Sequence, residues 1–136
     1  ACVLTVGGEA LLHCCAPGLP WDLLQRSAFR AVSVDAGALS AADLDGVAEF
    51  VESGRTVALG VVAGNAPPRR PSAEEVAAAV VAVTDRVGFA RSALRDRIGV
   101  TPACGLAGAT PEWARTAIEL ARKAAEMFAE DPDAIG

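Results

Sequence analysis

One segment of this 136-residue chain constrains the fold more than any other, residues 56–62 with the sequence Thr-Val-Ala-Leu-Gly-Val-Val. The segment is nearly continuous in apolar residues, as is typical of a strand buried on both faces of a parallel sheet. Parallel strands are joined by crossovers of a dozen or more residues, usually helices. The segment therefore predicts an α/β protein in which strands and helices alternate.

The rest of the chain fits this alternation. The predicted strands are residues 10–15, 31–35, 56–62 and 99–103, of which the first is also predicted to be buried. A short helix is predicted near residues 20–26, after the first strand. Longer helices are predicted to begin after the capping residues Ser40, Ser72 and Thr110. The helix after Ser72 has valines at helical spacing, and we expect its pattern to recover after Gly88 and to continue to Ile98.

The predicted fold class is therefore four successive β-α units with parallel strands, in a single domain over residues 1–136 whose residues 1–9 stay poorly assigned. Four units can form a small open sandwich, but they are also half of a TIM (β/α)8 barrel. A half-barrel leaves two strands with an unpaired edge. We therefore interpret the chain as half of such a barrel and expect a missing N-terminal half, self-association or both.

Charge and hydropathy exclude two classes of partner. The formal net charge is −5, whereas nucleic-acid-binding domains are normally basic. No apolar run approaches the roughly 20 residues that span a bilayer, so a membrane role is not supported. The first residues lack the pattern of a signal peptide, and the four cysteines are therefore interpreted as thiols. We expect a cytoplasmic protein that binds neither nucleic acid nor membrane.

Residues 13–15, His-Cys-Cys, contain the only histidine of the chain and two of its four cysteines. Alternate side chains of a strand share a face, so His13 and Cys15 are expected to point the same way. Functional groups of parallel α/β folds collect at the carboxyl ends of the strands, where Asp35 and Cys104 are also predicted to lie. Imidazole, thiolate and carboxylate are all zinc ligands. The four side chains therefore predict a metal site that is assembled from distant parts of the chain.

Other interpretations of these residues stay open. His13 and Cys15 can be a structural histidine and an inert core cysteine, and Asp35 can cap a turn. Cys14 is expected to face the helices as a small hydrophobic residue. A redox role for the adjacent Cys14 and Cys15 is the least favoured alternative.

Three motifs, in this order, resemble the C-terminal catalytic barrel of cobalamin-independent methionine synthase, a branch of the uroporphyrinogen decarboxylase/methionine synthase-like superfamily. They are residues 12–15 (Leu-His-Cys-Cys), 32–35 (Val-Ser-Val-Asp) and 101–106 (Thr-Pro-Ala-Cys-Gly-Leu). The resemblance extends from about residue 10 to the last helix and corresponds to the second half of that barrel. It implies that the chain is the C-terminal half of a TIM barrel.

The resemblance also implies a reaction. It implies that a zinc ion is held by His13, Cys15, Asp35 and Cys104. Zinc of this family activates the thiol of homocysteine, which then accepts a methyl group from a methylated folate. The implied function is a zinc-dependent methyltransferase, of which this chain is a fragment that we expect to be inactive alone.

The sequence departs from the family pattern at four places. Asp35 stands where the family has Glu, one methylene longer. Ala63 and Asn65 stand near an Asp and a His that activate the folate methyl group, and Ala103 replaces an acidic residue. The alternative function is therefore a metal-binding or scaffold half-barrel that has lost catalysis. The decarboxylase branch of the superfamily, which acts on uroporphyrinogen, uses no zinc cysteines, so Cys15 and Cys104 count against it.

Overall fold

The computed structural model describes residues 9–135, and the poorly assigned residues 1–8 lie outside this range. Within it, four strands form one parallel sheet in the order β1-β2-β3-β4. The strands are β1 (Leu11–Cys14), β2 (Ala31–Asp35), β3 (Thr56–Val62) and β4 (Ile98–Pro102). The prediction of an α/β fold with parallel strands is confirmed, and the arrangement is consistent with half of a TIM barrel.

Helices alternate with these strands. They are α1 (Trp21–Gln25), α2 (Ala41–Glu52), α3 (Ala73–Val87), α4 (Ala93–Asp96) and α5 (Pro111–Glu130), with a 3₁₀ helix at Ala36–Ala38. The three predicted caps are confirmed, since the hydroxyls of Ser40, Ser72 and Thr110 each accept a hydrogen bond from a backbone N–H of the first helical turn. None of these helices is both long enough and apolar enough to cross a membrane.

The predicted continuation of the helical pattern after Gly88 is only partly correct. Gly88 adopts a left-handed conformation with φ of +94°, and its N–H donates to Thr84 O at 2.9 Å, which ends α3. Leu94 lies in the short helix α4, but Ile98 begins β4 and is paired with Val57. The local spacing suits a helix, whereas pairing with β3 makes Ile98 a strand residue.

The prediction of a buried first strand is wrong. β1 lies at the edge of the sheet and pairs with β2 alone among the described residues, so Leu11 is 57% exposed. The strand also ends at Cys14, which places Cys15 in the loop that follows. An apolar run indicates a strand but does not say whether a second neighbour covers it.

The two faces of the sheet differ in what they carry. The covered face consists of Val32, Val34, Val57 and Leu59, which are fully buried in the core to which α2, α3 and α5 all contribute. The open face carries His13, Ser33, Ala58 and Gly99, which are partners in the register across the four strands. None of these four residues belongs to the hydrophobic core. In a closed barrel, the face opposite the helices lines the interior.

Candidate metal centre

Three of the four predicted ligands lie together at the carboxyl end of the sheet. His13 is in β1, Cys15 follows β1, and Cys104 follows β4. One ligand atom from each side chain lies within 4.8 Å of the other two, and all three residues are exposed. β1 and β4 are the outer strands of the sheet, which would lie roughly 14 Å apart if it were flat. Curvature of the sheet and the reach of the two loops therefore bring these side chains together.

The donor set and its geometry fit a zinc ion. Cys15 Sγ and Cys104 Sγ are 3.6 Å apart. Two thiolates on one tetrahedral zinc, with Zn–S bonds of ~2.3 Å, lie about 3.8 Å from each other. The sulfur atoms are therefore already near the separation that the metal requires. One imidazole and two thiolates would leave a fourth position for another ligand, as catalytic zinc sites do.

Ser33 fixes the orientation of the histidine ring. Its Oγ lies 3.1 Å from His13 Nδ1, and the residue is only 7% exposed. A hydrogen bond at Nδ1 leaves Nε2 as the free ring nitrogen. Metal-binding histidines usually have such a partner on the second nitrogen, which holds the ring and its tautomer. Sequence reasoning missed this role of Ser33, because its place opposite His13 is known only from the register of β1 and β2.

The thiol of Cys104 changes the acidity of the Cys15 thiol. The pKa of the Cys15 thiol is raised, first by its hydrogen bond with Cys104 and second by the negative charge that Cys104 carries when ionised. Two neighbouring thiolates therefore repel each other in the absence of a cation. A divalent cation between them would reverse this effect and favour both thiolates.

Asp35 has a different environment. It ends β2, and its Oδ1 accepts a hydrogen bond of 2.9 Å from Gly37 N, so that it caps the 3₁₀ helix. It does not belong to the group of His13, Cys15 and Cys104. The shorter side chain of Asp, compared with Glu, favours this local bond with the next turn. A role of Asp35 as the fourth ligand stays a prediction.

A close backbone approach at Gly60 positions the loop that carries Cys104. A Cβ atom at Gly60 would lie 2.6 Å from Ala103 Cα and 2.7 Å from Val34 O. Only glycine allows the chain after β4 to pass so near β3. The backbone N–H of Ala103 donates to Val62 O at 2.8 Å, which holds this loop in place. The position of Cys104 therefore depends on the absence of a side chain at Gly60.

Asp43 ties the loop after β1 to α2. It is 1% exposed, and its carboxylate accepts hydrogen bonds from Gly18 N, from Trp21 Nε1 at 2.8 Å and from Ser40 N. Burial raises the pKa of this carboxyl, but the hydrogen bonds from Ser40, Trp21 and Gly18 outweigh burial and lower the pKa to about 2. The loop that begins at Cys15 is thus fixed three residues later. The Ser-x-x-Asp pattern of a capping box could have indicated Asp43 from the sequence.

A family model described as "Cobalamin-independent synthase, Catalytic domain" matches residues 1–127 of the chain. The chain belongs to this family. The resemblance carried by the three motifs is therefore confirmed, and the family is one of zinc-dependent enzymes. No curated protein gives a significant match.

Ala63 and Ala103, two of the positions where the sequence predicts a departure from the family pattern, lie in one cavity. Ala63 follows β3, and its carbonyl oxygen accepts a hydrogen bond of 2.9 Å from Trp113 Nε1. Ala63 and Ala103 line an open cavity of about 410 Å³, together with Asp35 and Gly60. At positions 63 and 103 this cavity is therefore lined by methyl groups.

Proposed function

We propose that this chain holds a zinc ion through His13, Cys15 and Cys104, and that it forms the thiol-activating part of a methyltransferase of the cobalamin-independent methionine synthase type. The observation that carries the proposal is the meeting of one imidazole and two thiols, within 4.8 Å, at the carboxyl end of the sheet. Asp35 is included as a fourth ligand on the strength of the family pattern. Its Oδ1 accepts a hydrogen bond from Gly37 N, which leaves Oδ2 as the oxygen available to the metal.

The substrate is a thiol, for which the family supplies homocysteine. Zinc lowers the pKa of a thiol that binds it, so that the sulfur is a nucleophilic thiolate at neutral pH. His13, Cys15 and Cys104 are exposed, which leaves room for a substrate sulfur beside them. Ser33 keeps the imidazole ring of His13 in one orientation. Two protein thiolates make the site rich in negative charge, which preserves the nucleophilicity of a third sulfur.

The methyl donor of the proposal is a methylated folate, as in the family. Ala63, Asn65 and Ala103 carry no group that can protonate this donor. We therefore propose that the chain supplies the metal and the thiol side of the reaction, and that it is inactive alone. A missing N-terminal barrel half, or a second copy of this chain, completes the barrel in the proposal. A cytoplasmic location, where thiols stay reduced, is part of it.

The first experiment measures the metal content of the purified chain. We expect close to one zinc ion per chain, and we expect Cys104→Ser to lose it. Cys14→Ser is the matched control, because Cys14 Sγ lies near Ala16 O and not near the cluster. Zinc retained by Cys104→Ser contradicts the proposed site.

A second candidate function is a metal-binding or scaffold half-barrel without turnover. The apolar wall at Ala63 and Ala103 favours it, since the groups that act on the methyl donor in the family are absent there. Cobalt in place of zinc distinguishes the two functions. Homocysteine changes the absorption of the cobalt site if the thiol binds the metal, whereas an unchanged spectrum supports the scaffold.

A further inference from the structure

Cys15 and Cys104 are placed for a reaction with each other. Their sulfur atoms are 3.6 Å apart although the residues are 89 positions apart in the sequence. Both are free and exposed. A disulfide requires a separation of ~2.05 Å, so the sulfurs need to approach by only about 1.5 Å.

The local backbone can supply this movement. Cys15 lies just beyond β1 and Cys104 just beyond β4, so neither residue is held by a sheet ladder. Gly105 follows Cys104, and a Cβ atom at that glycine would meet nothing within 4 Å. Ala103 is held by its hydrogen bond with Val62 O, whereas the backbone from Cys104 to Gly105 has free space in which to shift.

Cys14 lacks these properties. It is half-buried against the hydrophobic core, and its thiol lies 3.8 Å from Ala16 O. It is also the last residue of β1, which pairs it with Val34. Although Cys14 adjoins Cys15 in the sequence, it does not share the environment of Cys104.

We propose that Cys15 and Cys104 are a peroxide-sensitive pair that closes to an intramolecular disulfide when no metal is bound. One thiolate attacks an oxygen of hydrogen peroxide, which breaks the O–O bond and gives a sulfenic acid and water after proton uptake. The second thiol attacks the sulfenic sulfur. The hydroxyl of the sulfenic acid takes up the proton of that thiol and leaves as water. In total, two thiols and one peroxide give one disulfide and two water molecules. The two sulfurs lose the two electrons that peroxide gains.

The disulfide and the metal compete for the same sulfur atoms. Zinc binds thiolates, so a chain with the Cys15–Cys104 disulfide retains only His13 from the cluster. This competition rests on the proposed function, whereas the closing of the disulfide rests on the sulfur positions alone. Bound zinc would thus protect the two thiolates from peroxide, and in the metal-free chain the disulfide would prevent metal binding until a thiol reductant reopens the site.

The experiment uses the full chain with two cysteines left. The Cys2→Ser/Cys14→Ser variant retains Cys15 and Cys104, and the matched Cys2→Ser/Cys15→Ser variant retains Cys14 and Cys104. Each is treated with a chelator and then with one equivalent of hydrogen peroxide, and the intact mass of the monomer is measured. We expect the first variant to lose two hydrogen atoms, and a thiol reductant to restore them. The second variant should instead gain oxygen or stay unchanged.

Two results overturn the disulfide. One is a gain of oxygen by the Cys15 and Cys104 variant, and the other is equally fast closure of the Cys14 and Cys104 pair. A parallel sample with bound zinc tests the competition, since the mass loss should be abolished while a chromogenic chelator detects no free zinc. Equal mass loss with and without zinc contradicts the metal site and leaves the disulfide standing. The two failures are therefore distinguishable.

Discussion

The covered and open faces of the sheet show two uses of the same four strands. The covered face is made of Val32, Val34, Val57 and Leu59, and its burial against the helices supplies the apolar contacts of the core. The open face carries His13 and Ser33, and the next partner in the register, on β3, is the small residue Ala58. Its donor atoms are exposed at the strand ends. Stability and chemistry are thus placed on opposite sides of one sheet, and substitutions on the two faces should affect different measurements.

The covered face should determine stability and leave the metal site unchanged. Leu59→Ala removes a fully buried side chain, and we expect the free energy of unfolding to fall by about 2–5 kcal/mol. Urea unfolding of the metal-free chain measures this loss. The folded fraction should bind zinc with unchanged affinity, because Leu59 does not touch the cluster. A large loss of zinc affinity in the folded state would show that the two faces are coupled.

The open face is tested by a substitution at Gly60, which follows Leu59 in β3. Gly60→Ala places a Cβ atom 2.6 Å from Ala103 Cα and 2.7 Å from Val34 O. Both neighbours are backbone atoms, so we expect a destabilisation of about 3 kcal/mol, at the upper end for overpacking. Unlike Leu59→Ala, this variant should also weaken zinc binding, because Cys104 follows Ala103. Ala58→Gly, on the same face, is the control and should leave zinc affinity unchanged. Normal zinc affinity in Gly60→Ala would contradict the positioning role of Gly60.

Asp43 connects the helix layer on the covered face with the loop that carries Cys15. It lies in the first turn of α2, and its carboxylate accepts a hydrogen bond from Gly18 N in that loop. Its pKa falls from 3.8 to about 2 on folding, so its charge contributes stability above pH 4 that is lost as the pH falls towards 2. The contribution at neutral pH is about 2 kcal/mol. Asp43→Asn should lose this amount at pH 7, and the difference from the original chain should shrink steadily between pH 4 and pH 2.

Urea unfolding at several pH values measures the effect of Asp43→Asn. Asp45→Asn is the matched control, because Asp45 lies two residues further along α2 and is exposed. Its substitution should change stability by less than about 0.5 kcal/mol. A constant difference between Asp43→Asn and the original chain across this pH range would show that the carboxylate charge is not the cause.

The accuracy of the sequence predictions follows the range of the interactions involved. β3 and the caps at Ser40, Ser72 and Thr110 were predictable because apolar runs and capping patterns are local. The exposure of β1 depends on which strands become neighbours. The strand conformation of Ile98 likewise depends on its pairing with β3, and the helical spacing of the residues around it does not predict this conformation.

The cluster itself shows the same limit. Strand topology predicts that His13, Cys15 and Cys104 reach the same end of the sheet, but it does not predict a sulfur–sulfur distance of 3.6 Å. Ser33 was missed because its partner is known only when the register of β1 and β2 is known. The bond of Asp35 with Gly37 N depends on the conformation of one turn, which the sequence pattern does not specify.

Ser33 gives the smallest expected effect and the sharpest test of the open face. Ser33→Ala removes the hydroxyl 3.1 Å from His13 Nδ1 and leaves the ring free to rotate. Loss of such a partner costs ~10–100-fold in metal affinity, and we expect about tenfold because the hydroxyl is neutral. Zinc affinity, measured by competition with a chelator, reports this change. Stability of the metal-free chain should hardly change, which would separate Ser33 from Leu59.

Ser33→Thr is the matched variant, because it retains a hydroxyl at the same backbone position. It should preserve most of the zinc affinity that Ser33→Ala loses, whereas a role in packing alone would make the larger threonine the more harmful change. Tenfold weaker binding in both variants, with equal loss of stability, would mean that Ser33 only fills space. Restored binding in Ser33→Thr would instead assign the effect to the hydrogen bond with His13.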